Sequence, residues 1–428
     1  MRVLFVTANP PSPIRVRPFQ LIRALARRGH AATLACPTAG ASEAADADRL
    51  RDLGAVVAVI ARPLGRARRA ANLALALPAG VPLQARYAWQ PDLCTAIEHA
   101  VDAAAASGQP FDVAHVEHLR ASAYALRLRS RLPVVWDSVD CITDLFEQAR
   151  AHTQSPLGRL MTALDLGRTR RYEGWLARQF PVTIVTSGRD RDWLIDLASR
   201  YADPAPSNQA PIAPTMDQPV PPPIAVIPNG VDLAAFTPPT APRDPATILF
   251  SGKLSYHANV TAARHLVERI MPRVWAARPD ARAVLAGAEP TRAIQALAAA
   301  HPGRVEITGR VPDLVPVLHR ATVAVAPMVY AVGIQNKVLE AMATATPVVA
   351  TSVATRALAA IPGRDLLVAD APEAFAAAIV DLLADPARAA AIGAAGRRHV
   401  EAHHDWDAAA AALEDAYARA AAVRRQPQ

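Results

Sequence analysis

The chain runs through the same alternation twice: a short apolar run, a loop, then a segment with helical spacing. In the first pass the apolar runs fall at 3–7, 32–36, 55–60, 111–116, 133–136, 182–187 and 225–228. In the second they fall at 247–250, 283–286, 305–308, 322–327 and 348–351. These runs are continuous rather than alternating, as strands buried on both faces of a parallel sheet are. Helical spacing appears at 18–28, 168–178, 189–200, 259–277, 335–345, 372–384, 387–402 and 405–423. Strand, helix and strand in succession imply βαβ units with right-handed crossovers, hence a doubly wound α/β chain. Between the passes, 203–223 holds eight prolines and reads as a flexible polyproline-like insertion. Pro228-Asn229-Gly230-Val231-Asp232 follows as a turn.

Polar residues inside this apolar frame carry the chemistry. The stretch TVAVAPMVYAVGIQNKVLEAMATATPVVATS, starting at Thr322, reads as strand, loop, helix and strand. Gly333 allows close backbone approach, and the helix after it offers unpaired N–H groups and a positive dipole end. Lys337 on the first turn adds an ammonium, and Glu340 lies three residues on, along the same side. A cation and a carboxylate at an anion-binding helix start suit a nucleoside diphosphate: charge for the phosphates, a carboxylate for ribose hydroxyls. The competing reading is an exposed Lys337–Glu340 pair worth a few tenths of a kcal/mol. A second strand-to-helix turn, Ser251-Gly252-Lys253, is a further anion site, against which stands an ordinary surface lysine. Tyr256 and Asn259 read as a packing residue and a helix start. Glu289-Pro290 reads as the opening of a helix.

In GIQNKVLEAMATATPVVAT the chain resembles the donor-site signature of GT-B glycosyltransferases, the retaining family 4 group, and within it the bacterial exopolysaccharide-associated sugar transferases. IPNGVDLAAF resembles that family's domain-joining segment. The resemblance implies two Rossmann-like doubly wound domains facing each other across a cleft. It divides the chain into an acceptor domain (1–228), a nucleotide-sugar donor domain (229–404) and a final helix (405–428) crossing back to the first. It implies donor contacts from Gly252, Val311, Gly333, Ile334, Gln335, Glu340 and Arg310, with Val311 near the base and Glu340 on the ribose. Lys253 and Lys337 would neutralise the departing diphosphate. Two family positions depart from the pattern: a first glutamate falls on Val332 and a second basic residue on Ala258.

In the first pass, candidates lie where strands end, since doubly wound sheets bind ligands at strand carboxyl ends. His115, Glu117 and His118 leave the fourth strand, and Glu117 and His118 match the place where the family brings a histidine to the donor. Two imidazoles three residues apart, with no third ligand, make no metal site. Asp137 and Asp140 leave the fifth strand; Asp137 reads as a capping residue and Asp140 as acceptor-side. Arg15 and Arg17 occupy the first turn, where a GxGxxG fingerprint is absent, and Arg15 is assigned to the acceptor side. Ser187 reads as a helix cap. Arg170, Arg171, Tyr172 and Glu173 read as surface.

Composition narrows the function. More than half the residues are apolar, enough for two cores. Net charge is +8, mostly from arginine. Without zinc-finger, aromatic RNA-binding or dense basic motifs, nucleic acid is an unfavoured partner. Cys36, Cys94 and Cys141 are three, widely spaced, as in a reducing compartment. Arg62, Arg66, Arg68 and Arg69 precede an apolar helix, a pattern shared by solvated helix edges and by proteins that rest on anionic lipid. No apolar run of bilayer length exists; 71–81 is interrupted by Pro78 and Gly80. The expectation is a cytoplasmic, retaining, metal-independent glycosyltransferase, in peripheral contact with the inner membrane face. It needs no cofactor, uses a UDP- or GDP-linked sugar as donor and takes a glycan or lipid-linked hydroxyl as acceptor. The alternatives are a non-catalytic GT-B sugar-nucleotide-binding protein and a GT-B nucleotide-sugar epimerase.

Overall fold

A computed structural model describes residues 1–152, 156–201 and 223–425. The proline-rich insertion expected at 203–223 lies almost wholly outside the described residues. Two compact units emerge: residues 1–228 with 406–428, and residues 229–405.

The first unit holds seven parallel strands: β1 (Arg2–Val6), β2 (Ala31–Thr38), β3 (Ala58–Pro63), β4 (Val113–Glu117), β5 (Val134–Val139), β6 (Val182–Val185) and β7 (Ile224–Val226), in the order β3-β2-β1-β4-β5-β6-β7. The second unit holds six: β8 (Thr247–Ser251), β9 (Arg282–Ala286), β10 (Val305–Gly309), β11 (Val323–Ala326), β12 (Val348–Ala350) and β13 (Leu367–Val368), in the order β10-β9-β8-β11-β12-β13. In each sheet the first strand sits beside the fourth, and the winding reverses there. That reversal opens a crevice at the strand carboxyl ends, the place a doubly wound sheet offers to a ligand.

Both faces of the first sheet are covered. Phe5, Leu34, Val135 and Ile184 pack beneath the helix Val16–Arg27 and the final helix Trp406–Arg425, which contributes Trp406, Leu413 and Tyr417. Leu4, Val116, Trp136 and Phe180 face the other side. The final helix is tied to the first by Arg28, whose guanidinium is 2.6 Å from Glu414.

Several local expectations give way to the structure. The third strand begins at Ala58 rather than 55, because Ala55 and Val56 fill the core beneath the helix Ala41–Asp52. Glu289-Pro290 does not open a helix: Thr291 caps one that starts at Arg292, and Glu289 takes a φ of 56°. Tyr172 and Glu173 are not surface residues. Glu173 is fully buried and accepts from the backbone N–H of Ile142 (2.9 Å) and Thr143 (2.8 Å) and from the Thr143 hydroxyl (2.6 Å). It thereby satisfies the open N–H groups of the helix Ile142–His152. Ser187 does cap its helix, accepting from the Asp190 N–H at 3.2 Å.

Candidate functional site

At the crevice of the second sheet, β8 ends in Ser251 and Gly252, and β11 leads through Met328 and Tyr330 to Gly333. Gly333 adopts a φ of 59°, a left-handed conformation that glycine takes at no steric cost. The chain can therefore reverse into the helix Asn336–Ala343, whose apolar face buries Val338, Leu339 and Met342. Lys337 and Glu340 stand on the remaining face.

The Lys337 Nζ lies 2.9 Å from Asn259 Oδ1 and 3.8 Å from Met328 Sδ, and 5.3 Å from the centre of the Phe250 ring. Asn259 in turn donates to the Lys253 carbonyl at 3.0 Å, so one buried amide joins the β8 loop to the ammonium. Gly252 leaves the room for this: a Cβ there would stand 2.8 Å from Asn259 Nδ2 and 3.4 Å from Lys337 Cε. Lys337 thus reaches the start of the helix His257–His265, beside the fully buried Ala258, where the family pattern has a basic residue. In the sequence Asn259, an amide early in a helix, resembles a local cap. Its position seven residues after Gly252, at the end of the same loop, was the available signal.

Lys337 and Glu340 do not form the surface pair that their spacing allows. Both are half-buried, and no ion pair joins either to a partner among the described residues. Burial lowers the Lys337 ammonium to about 8, against the opposing pull of Glu340. Burial raises the Glu340 carboxyl to about 7, with Lys337 acting against it. A cation and a carboxylate that have lost much of their water without gaining each other are costly unless something else meets them.

The other donor-side candidates are spread around this centre. Lys253 is half exposed, with its Nζ 3.0 Å from Glu289, so its charge already has a surface partner. Such pairs are worth at most about 1 kcal/mol and exchange readily for a better one. Ile334 is buried, and the Gln335 side chain donates to the Val332 carbonyl at 3.0 Å, fixing the loop. Val311 is half-buried after β10 and Arg310 is exposed. Tyr330, also buried, bonds His257 Nδ1 at 2.8 Å and backs the same loop.

The strand ends of the first unit are arranged differently. Arg17 is not a free loop arginine: it is buried, 2.8 Å from Asp137, and it donates to the Ile227 carbonyl at 3.0 Å. Asp137 is not a helix cap; besides Arg17, it accepts from the Val139 N–H at 3.0 Å and holds that residue at a φ of 67°. His115 is a core residue, stacked on Phe5 at 4.2 Å, with its Nδ1 3.1 Å from the Tyr417 hydroxyl. Burial drops its imidazole to about 4. His118 takes a φ of 71° and accepts from the Arg120 N–H through Nδ1 at 3.2 Å, so its other ring nitrogen bears the proton. Burial pushes the Glu117 carboxyl up to about 8, with Asp137 adding to the rise, and its Oε2 is buried without a hydrogen-bond partner among the described residues. Asp140 accepts from the Thr186 hydroxyl at 3.2 Å, and burial with Asp190 nearby raises it to about 7. Arg15 is anchored to Glu43 and to the Pro10 carbonyl. A shallow cavity of about 580 Å³ lies between β3 and the helix Pro91–Ala106 and shares no residue with either group of strand-end candidates. Among the described residues no cluster of three metal-binding side chains occurs.

Similar solved structures decide the architecture. Sucrose-phosphate synthase from Thermosynechococcus elongatus superposes with a TM-score of 0.66 over 99% of this chain and 100% of its own, at 19% identity. The Anabaena protein HepE in complex with UDP gives 0.64 over 98% and 100%, at 14% identity. The chain has the GT-B fold. Within its second GT-B unit, residues 245–385 match the family model described as glycosyl transferases group 1. The chain is 31% identical over 201 residues to a GDP-mannose-dependent mannosyltransferase of Corynebacterium glutamicum that acts on a monoacylated phosphatidylinositol monomannoside, covering 42% of this chain and 52% of that one. It is 33% identical over 218 residues to a glycogen synthase of Mycobacterium tuberculosis, covering 48% and 50%. A lipopolysaccharide core mannosyltransferase of Rhizobium leguminosarum is 29% identical over 62% of this chain and 72% of its own. The chain spans about half the length of the first two relatives.

Proposed function

We propose that this GT-B protein transfers a sugar from a nucleotide donor to a hydroxyl acceptor, with retained anomeric configuration and without a metal. The single observation that carries the reading is the half-buried Lys337 ammonium. It is held by Asn259 at the β8–β11 crevice, beside a glycine loop and an open helix start, and lacks an ion-pair partner among the described residues. A diphosphate is the ligand such a place favours: its charge meets the ammonium, and its oxygens accept from the N–H groups at Asn336 and beyond. Glu340, three residues along the helix, is suited to accept from ribose hydroxyls.

As the glycosidic bond to phosphate breaks, negative charge grows on the leaving oxygen. Lys337 and the helix start are fixed in advance to receive it, which is where preorganised donors lower a barrier most. Lys253 joins them by exchanging Glu289 for phosphate. The leaving phosphate takes the proton of the incoming hydroxyl. Gly252, Gly333, Ile334 and Gln335 shape the donor loop, with Val311 toward the base and Arg310 within reach of a phosphate. Glu117 and His118 are the catalytic candidates of the first unit, suited to order the donor phosphate or the acceptor hydroxyl, and Asp140 and Arg15 form the acceptor side. The similarity to a GDP-mannose-dependent enzyme and to UDP-binding HepE supports a nucleotide-sugar donor while leaving both bases in play. An exopolysaccharide or lipid-linked glycan is the proposed acceptor class.

Turnover of UDP- and GDP-sugars by the full chain tests the activity. Release of nucleoside diphosphate that depends on a glycan acceptor is the expected result. Conversion of the donor with no acceptor present would turn the reading to epimerisation.

A further inference from the structure

The helix Arg66–Ala76 of the first unit leaves much of its apolar surface uncovered, while its inward side mixes Ala76 and Leu73 with polar groups. Asn72 is buried, donating to the Trp89 carbonyl at 2.7 Å, and Arg69 turns in to lie 5.2 Å over the Tyr87 ring. Its outward side is apolar: Ala67, Ala70, Ala71 and Ala74 are exposed, with Leu75 at 52% and, just past the helix end, Leu77 at 50%. A surface helix in water ordinarily turns leucines such as Leu75 inward.

Charge accompanies the apolar face. Arg62, Arg66 and Arg68 are exposed at the amino end of the helix and have no ion-pair partner among the described residues. Between Asp52 and Asp92 the chain contains no acidic residue and five arginines.

We propose that this helix rests on a membrane surface rich in anionic phospholipid. Leu75, Leu77 and the alanine face enter the interface, and Arg62, Arg66 and Arg68 engage the lipid phosphates. The charge pattern selects lipid over a second copy, because a symmetric contact through this patch would set the arginines of both copies against each other. It selects lipid over nucleic acid, to whose phosphates an exposed leucine pair offers nothing. Among the described residues no helix is long and apolar enough to cross a membrane, so the contact is peripheral. The inference is independent of the donor site, since none of its residues lies in the second unit.

Vesicle co-sedimentation of the full chain tests it, with phosphatidylcholine vesicles against vesicles of phosphatidylcholine and phosphatidylglycerol. Binding is expected to the anionic vesicles and to fall with added salt. R66E/R68E should weaken partitioning at least about tenfold, given the loss of roughly a factor of five per basic residue. L75S/L77S should weaken it as well at equal charge. Both pairs are exposed, and an unchanged melting temperature would show that folding is intact. No binding to anionic vesicles overturns the proposal, as does binding that neither double variant affects. A concentration-dependent dimer abolished by L75S/L77S also overturns it, because a second copy would then be the occupant. UDP and GDP binding, measured on the same variants, should not move; its absence in wild type would fail the donor reading and leave this one standing.

Discussion

The two sheets repeat one winding order, and their strand ends handle charge in opposite ways. In the first unit Arg17 and Asp137 face each other at 2.8 Å in full burial, and His115 is bonded to Tyr417. Those charges belong to the fold. In the second unit Lys337 and Glu340 sit one turn apart, half-buried, and do not pair. Topology alone therefore does not make a site. What marks one is charge that the protein has partly removed from water and left for something else to meet. By this measure Glu117 of the first unit is such a group, since its buried Oε2 has no hydrogen-bond partner among the described residues.

The sharpest way to break the comparison is to remove one member from each unit. Asp137→Ala should cost about 3–5 kcal/mol, because Arg17 is left buried without its counter-ion; urea unfolding reads this directly. Lys337→Met should change stability by less than about 1 kcal/mol, since no ion pair is lost. A large destabilisation by Lys337→Met would make that lysine structural and erase the contrast.

Next in size is the effect on turnover. Lys337→Met should lower kcat about 10²–10³-fold, the usual loss on removing one preorganised donor from developing charge. Asn259→Ala, which frees the ammonium, should lower it less.

A smaller effect is expected from pH. The Lys337 pKa is lowered to about 8 in the unliganded fold, from 10.5. An unliganded chain therefore carries a cost that is present below about 8 and is relieved as pH rises toward 10.5, so this group makes stability increase across that window. A diphosphate favours the charged form, so binding takes up a proton there. Affinity for UDP or GDP should fall as pH rises above about 8, by up to about tenfold per unit, and Lys337→Arg should flatten that limb. Isothermal titration in two buffers of different ionisation heat would count the proton.

The smallest effect belongs to the first unit. Tyr417→Phe removes one hydrogen bond to His115 and should cost about 1 kcal/mol with no change in nucleotide binding.

Much of the fold was legible from residue patterning. Continuous Val- and Ala-rich runs marked the buried parallel strands, and Gly333 stood out before a helix because it has no Cβ to hold a ligand off; its φ of 59° is what the structure adds. Other features depended on partners far away in the chain. Asp137 looks like a cap until Arg17, 120 residues earlier, is folded against it. Glu173 looks like a surface residue until the start of another helix needs its oxygens. The failure of Lys337 and Glu340 to pair is likewise invisible in their spacing, because Asn259, 78 residues away, takes the ammonium instead.

The most direct test is calorimetric titration of UDP and GDP into the wild-type chain and into Lys337→Met. The account predicts saturable binding of at least one nucleotide by wild type and its loss in the variant, with unfolding unchanged. Wild type that binds neither nucleotide, or a variant that binds as tightly as wild type, would contradict it.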